Sequence, residues 1–239
     1  MLWLFSVLFW AFIVLTCPIF FVGAVLVWLV TLPFDRRRVA LHLYSSAWAS
    51  FYVYICPLWR LRVLHRDRLP WHGPAVFVAN HASLIDILVL FALFRPFKFV
   101  SKQEIFKVPV IGWNMRLNRY VPVVRGSGAS VRRMMELCDQ HLEAGSPLMI
   151  FPEGTRTTDG ELRSFKDGAF QLAVRHNVPV YPIVVHGTRR ALPRQGFILR
   201  DHIKARVEVL PPLQPSDFSD VYALRDATRD AIASGLTTT

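Results

Sequence analysis

Apolar positions dominate the start of the chain: Met1 to Phe34 carries no charged residue. A straight helix of that length runs about 50 Å, more than the roughly 30 Å of a bilayer's hydrocarbon core. Such a segment must tilt, kink or stop early, and Pro18 marks the expected break because it lacks a backbone donor and crowds the preceding turn. After Asp35-Arg36-Arg37-Arg38 a second apolar run extends from Val39 to Trp59, followed by Arg60, Arg62 and His65-Arg66-Asp67-Arg68. Within that run His42, Ser46 and Ser50 recur at helical spacing, with Ser45 beside them, opposite Leu, Tyr, Phe and Trp. The pattern reads as a helix lying in a membrane interface, with a core helix of the globular domain as the alternative.

From Leu69 the apolar signal breaks into short runs separated by turn residues and longer amphipathic stretches, the rhythm of an α/β domain. Strands are expected at Ala75–Ala79, Phe97–Ser101, Tyr120–Val124, Leu148–Phe151, Val180–Val185 and Ala205–Leu210. Helices are expected at Leu84–Phe94, Ser130–Ala144, Lys166–His176 and Tyr222–Ser234, with Gly145 and Asn177 as stop signals for the second and third. The 239 residues thus divide into an N-terminal apolar helical membrane motif, 1–68, and an α/β domain with a mixed sheet flanked by helices, 69–239.

Charge sharpens the picture. Lys and Arg number 28 against 17 Asp and Glu, a formal net charge of +11, all of it beyond residue 34. An anionic partner surface follows, and a lipid surface suits it, since no nucleic-acid module interleaves these cations with aromatics. Three cysteines at wide spacing, Cys17, Cys56 and Cys138, offer neither a disulfide frame nor a CxxC metal site. Zinc-protease HExxH, GxSxG, GxGxxG and GxxxxGK[ST] motifs are all absent.

Two constellations carry chemistry, each directly after an expected strand, where α/β proteins build sites. The first is Asn80-His81-Ala82-Ser83-Leu84-Ile85-Asp86. On one continuous helix His81 and Asp86 would stand about 140° apart, so a pairing requires His81 ahead of the helix. Ser83 and Asp86 have capping-box spacing, and the carboxylate would reach back toward residues preceding the helix, where His81 sits. An imidazole held by a carboxylate on one nitrogen can take a proton on the other. A plain helix cap beside an incidental histidine has the same spacing. The second constellation is Phe151-Pro152-Glu153-Gly154-Thr155-Arg156: Gly154 permits close backbone approach, Thr155 adds a hydroxyl, and Arg156 adds a planar fork suited to phosphate. An ordinary polar turn fits these residues too. Between the two, Lys98, Lys102, Lys107, Arg116, Arg119, Arg125, Arg132 and Arg133 face one acid, Glu104. Either an anion site or a solvated face uses such a stretch, and Arg125, at a strand end, is the strongest anion candidate.

Asn80-His81 with Asp86, then Phe151 to Arg156, then Val178-Pro179-Val180-Tyr181-Pro182-Ile183, in this order, resemble the glycerolipid acyltransferase family, and most closely its lysophosphatidic acid branch. The resemblance runs from about Pro74 to Thr188 and includes Lys102, Glu104, Pro109, Gly112-Trp113 and Phe165-Lys166-Asp167-Gly168-Ala169. Where the family often has Gly-x-x-Phe-Ile-x-Arg, this chain has Arg119, Pro122 and Val123 ahead of Arg125. The resemblance implies a membrane-bound enzyme that moves an acyl group from acyl-CoA or acyl carrier protein to the sn-2 hydroxyl of lysophosphatidate, with no resident cofactor or metal. His81 would be the general base and Asp86 its partner. Arg125 and Arg156 would bind the acceptor phosphate, with Gly154, Thr155 and Lys102 assisting and Glu153 shaping the site. A cytosolic donor would place the domain after Leu69 on the cytosolic side of the membrane, the inner or plasma membrane in a bacterium. Acyltransfer to another lysolipid, such as a lyso-ornithine lipid, and non-catalytic binding of anionic lipid are the alternatives.

Overall fold

A computed structural model describes residues 2–157, 161–192, 197–199 and 202–237. In chain order the elements are α1 (Leu2–Thr31), α2 (Val39–Ile55), β1 (Trp59–Leu64), β2 (Val76–Ala79), α3 (Ile85–Phe91), β3 (Lys98–Lys102), α4 (Ile111–Leu117), β4 (Val121–Val123), α5 (Gly128–Glu143), β5 (Leu148–Ile150), α6 (Gly168–His176), β6 (Val180–His186), β7 (Ile203–Val209) and α7 (Val221–Thr237). The expected strands and helices recur with shifts of up to a few residues at their ends, and α6 stops at Asn177 in the left-handed conformation, φ 47°.

Seven strands form one mixed sheet in the order β1-β7-β6-β2-β5-β3-β4. The strands β6, β2, β5, β3 and β4 are parallel; β7 runs against β6, and β1 runs with β7. All five parallel strands therefore end on the same edge of the sheet. Alternating residues sort the two faces. Phe77 and Ala79 of β2 join Val89 and Leu90 of α3 and Val53 of α2 in one core, while Val76 and Val78 join Cys138, Leu142, Phe170 and Leu172 from α5 and α6 in the other.

Three features of the first sixty residues depart from expectation. First, α1 continues through Pro18. Packing on both sides of the proline carries the helix across the missing hydrogen bond: Phe12 meets Phe51 and Tyr52 of α2, and Phe20 stacks on Trp48. Second, the polar stripe of α2 faces inward, and two of its groups, His42 and Ser45, find partners there. His42 is held by the Tyr120 hydroxyl at 2.8 Å and the Arg95 carbonyl at 3.0 Å, and Ser45 accepts from Asn114 and Asn118. So α2 is a core helix, not an interfacial one, and burial pulls the His42 imidazole down to about 3. Third, β1 pairs along its length with β7, which moves the start of the α/β layer from Leu69 back to Trp59.

Helix α1 lies along α2; its N-terminal turns and the turn that follows it meet the globular layer. At its N-terminal end Ser6 Oγ accepts from the Leu199 amide at 2.9 Å and Trp10 donates to the Phe197 carbonyl at 2.5 Å. In the turn between α1 and α2 Arg37 donates to the Gly145 carbonyl at 2.7 Å, and the buried Lys98 donates to the Arg37 carbonyl at 2.6 Å. The outer side of α1 is an unbroken apolar stripe: Leu4, Leu8, Leu15, Ile19, Val22, Leu26 and Leu29 are all more than half exposed. By length and hydropathy α1 can cross a membrane.

Candidate functional site

His81 follows β2 by two residues and precedes α3, as the pairing requires. Its Nδ1 lies 2.9 Å from Asp86 Oδ2. The same oxygen accepts from the amides of Ala82 at 2.6 Å and Ser83 at 2.8 Å, so the carboxylate does reach back across the helix start. Ser83 Oγ takes the Ile85 amide at 3.3 Å and is not itself the cap residue of α3. Asp86 is fully buried and has a second partner absent from the sequence reading: its Oδ1 accepts from the hydroxyl of Thr188, just beyond β6. Four donors thus fix one carboxylate, and that carboxylate fixes the imidazole. The ring of His81 stacks on Phe151 at a centroid distance of 4.1 Å and an interplanar angle of 17°. With Nδ1 committed to Asp86, Nε2 remains for proton exchange.

The backbone of His81 is held as firmly as its ring. Glu153 Oε1 accepts from its amide at 2.7 Å, while the Thr157 amide donates to its carbonyl at 2.9 Å. Glu153 Oε2 accepts from the Arg163 amide at 3.2 Å. Burial pushes the Glu153 carboxyl above its ordinary value, against the pull of these two backbone donors. Next to it, Gly154 has φ 69°, a conformation that strains any other residue, and a Cβ there would lie 2.9 Å from Lys166 Nζ, so the lysine would have to move. Lys166 therefore sets an ammonium group against the Glu153–Arg156 loop. Asn80 ties the end of β2 to β6 by exchanging two hydrogen bonds of 2.8 Å with the Val185 backbone.

The second constellation therefore packs directly on the first. Thr155 and Arg156 lie in the same loop, between Glu153 and Thr157, the two residues that grip His81. Lys102 ends β3 and Arg125 follows β4 by two residues on the same edge of the sheet, but at a distance. Three strand spacings of about 4.8 Å separate β4 from β2. Arg125 is exposed, and Lys102 is exposed in an ion pair with Glu104 at 3.2 Å. Phe151, Lys166 and Asn80 stood inside quoted motifs, whereas nothing near Thr188 in the sequence signals its role. Among the described residues no group of three or more His, Cys, Asp or Glu side chains could hold a metal ion.

A family model described as Acyltransferase matches residues 60–186, which contain both constellations. The chain is 38% identical over 232 residues to a 1-acyl-sn-glycerol-3-phosphate acyltransferase of Chlamydomonas reinhardtii, covering 95% of this chain and 67% of that protein. It is 38% identical over 181 residues to a chloroplastic enzyme of the same name from Arabidopsis thaliana, covering 75% of this chain and 50% of that one. A chloroplastic enzyme of that name from Brassica napus is 37% identical over 205 residues, 85% of this chain and 58% of that protein. The chain thus spans one half to two thirds of the length of these relatives. In fold it is similar to the crystal structure of the 1-acyl-sn-glycerophosphate acyltransferase PlsC of Thermotoga maritima. That likeness has a TM-score of 0.77 at 24% identity and covers 98% of this chain and 96% of that one.

Proposed function

The chain belongs to the acyltransferase family, and from that premise we propose that it transfers a fatty acyl group from a thioester, acyl-CoA or acyl carrier protein, to the sn-2 hydroxyl of lysophosphatidate. The product is phosphatidate, a phospholipid precursor. The observation that carries the reading is the His81–Asp86 pair, locked by four donors on the carboxylate and by Phe151 beneath the ring. Nε2 of His81 takes the proton of the acceptor hydroxyl as that oxygen attacks the thioester carbonyl, and Asp86 stabilises the imidazolium that forms. The C–S bond then breaks, the imidazolium returns the proton to the departing thiolate, and an ester and a free thiol result. Direct attack needs no acyl-enzyme. Arg156 and Arg125 bind the acceptor phosphate, with Gly154, Thr155 and Lys102 around it, and Glu153 holds the His81 backbone in place.

Membrane attachment is part of the same proposal. The first turns of α1, through Ser6, and the turn that follows the helix, through Arg37, are bonded to one globular layer, so a helix crossing the bilayer would drag that layer into the hydrocarbon. We therefore place α1 along one leaflet with its apolar stripe in the lipid and the α/β layer on the donor's side, the cytosol. The deciding assay mixes the full chain in vesicles with acyl-CoA and lysophosphatidate and follows free thiol and phosphatidate together. Both should appear at equal rates and vanish in His81→Ala. Wild-type turnover in that variant removes the mechanism. Turnover only with other lysolipids, such as lyso-ornithine lipid, moves the acceptor assignment, and no turnover with any lysolipid or donor leaves plain lipid binding.

A further inference from the structure

We propose that the segment Val108–Trp113 is a second membrane-insertion element, separate from α1, which seats the rim of the site in the same leaflet. It follows β3, whose end shares the sheet edge with His81. Its outward side chains are apolar: Val108 is 43% exposed, Ile111 38% and Trp113 51%. Val110, between them, points the other way and packs in the cluster of Cys17, Trp48 and Tyr52. The backbone makes this alternation at a cost. Val110 has φ 65° and ψ −61°, a region a β-branched residue rarely enters, and the Ile111 amide closes a tight turn on the Pro109 carbonyl at 2.7 Å. The strained turn keeps Val110 packed against that cluster, partly buried, while holding Val108 and Ile111 in the open.

Lipid is the occupant that fits, for two reasons. The patch is continuous with the lipid-facing helix, since Trp113 packs on Phe21 of α1 with ring centroids 5.6 Å apart. It is also fringed by the exposed cations Lys107 and Arg116, suited to phosphate headgroups beside an apolar wedge. The proposal rests on α1 lying in a leaflet, and adds that the rim of the site is immersed too, so that the lysolipid acceptor enters from the leaflet and not through water.

The test uses the full chain. A fluorophore placed on Ile111→Cys, with the three native cysteines buried, should shift to the blue on vesicles of phosphatidylcholine and phosphatidylglycerol and be quenched by lipids brominated near the headgroup. In Val108→Ser/Ile111→Ser, turnover of a short-chain monomeric lysophosphatidate should persist while turnover of vesicle-borne acceptor falls about tenfold. No blue shift and no quenching would overturn the proposal, as would an equal loss in both assays. A change from dimer to monomer in the variant would also overturn it, by assigning the patch to a second copy. Quenching in a protein without acyltransferase activity would uphold the wedge and remove the catalytic reading alone, so the two fail separately.

Discussion

Replacing Asp86 by Asn separates the catalytic role of the carboxylate from its structural one, because the surrounding donors tolerate an amide. The amide oxygen can keep the place of Oδ2, with His81 Nδ1 at 2.9 Å and the Ala82 and Ser83 amides at 2.6 and 2.8 Å. The amide nitrogen then falls on Thr188, whose hydroxyl turns from donor to acceptor. The three N–H donors keep their acceptor and the imidazole keeps its tautomer, while the buried Thr188 hydroxyl proton loses Asp86 as its acceptor. The cost to stability is the loss of charge assistance together with that one donor, about 2–3 kcal/mol. Turnover loses more: an imidazolium and a carboxylate with charge centres about 4 Å apart interact by about 4 kcal/mol at an effective dielectric of 20. At 1.36 kcal/mol per decade, kcat should fall about 10³-fold. Asp86→Ala is the contrast, since it orphans three buried N–H groups at about 1–3 kcal/mol each and should fail as a fold before it fails as a catalyst. Thiol release in vesicles gives kcat, and urea unfolding in detergent gives the stability. An Asp86→Asn protein with kcat within about tenfold of wild type would refute the imidazolium role. Loss of folding in step with activity would assign the carboxylate to the helix cap.

Thr188→Val keeps the shape but removes the donor to Asp86 Oδ1. Without that donor the carboxylate is free to turn away from the His81 ring, so kcat should fall about tenfold while urea unfolding changes by no more than about 1–2 kcal/mol; an unchanged kcat would remove Thr188 from positioning the pair. Arg156→Lys keeps charge but loses the planar fork, and should raise KM for lysophosphatidate with little change in kcat; an unchanged KM would take Arg156 out of the phosphate site. Burial pulls Lys98 from 10.5 down to about 7, with Arg119, Arg38 and Arg37 adding to the shift and Asp35 opposing it. Between those pH values the unfolded chain binds more protons than the folded one, so wild-type stability should gain up to about 1.4 kcal/mol per pH unit from this group as pH rises through that window. Lys98→Met should flatten that gain while lowering stability throughout, because the carbonyls of Arg37 and Asn118 lose their donor; a parallel pH dependence in both proteins would contradict the assignment.

What the sequence disclosed follows the range of the interactions involved. His81 and Asp86 lie five residues apart, and the requirement that the histidine precede the helix could be stated from helical geometry alone. Thr188 could not be found this way, since it reaches Asp86 across 102 residues and only the parallel pairing of β6 with β2 brings it there. The strand β1 was written in the sequence but masked: Trp59, Leu61 and Val63 alternate with Arg60, Arg62 and Leu64, yet the arginines read as the flank of an apolar run. For α2 periodicity gave the polar stripe correctly and its direction wrongly. A stripe of His and Ser is as well satisfied by buried hydrogen-bond partners as by water, and those partners, Tyr120, Arg95, Asn114 and Asn118, come from later elements. The seven residues of α4, ahead of Tyr120 and β4, are too short to show a period.

The parity of β2 links the site to the lipid. Phe77 and Ala79 face the layer built by α1, α2 and α3, and His81, two residues further on, continues that side. Its stacking partner Phe151 packs against the same core. The base thus stands on the side of the sheet covered by α1, α2 and α3, the side that carries the apolar stripe of α1 and the exposed Val108, Ile111 and Trp113, while α5, α6 and α7 cover the opposite face. On the proposed function, an acceptor held in the leaflet by its acyl chain need not cross the sheet to reach Nε2 of His81. It needs only to rise along α1 until its hydroxyl meets the imidazole and its phosphate meets the cations at the strand ends. On the two proposals taken together the acceptor is ordered by immersion, and the backbone strain at Val110 serves to present the apolar segment proposed to enter the leaflet.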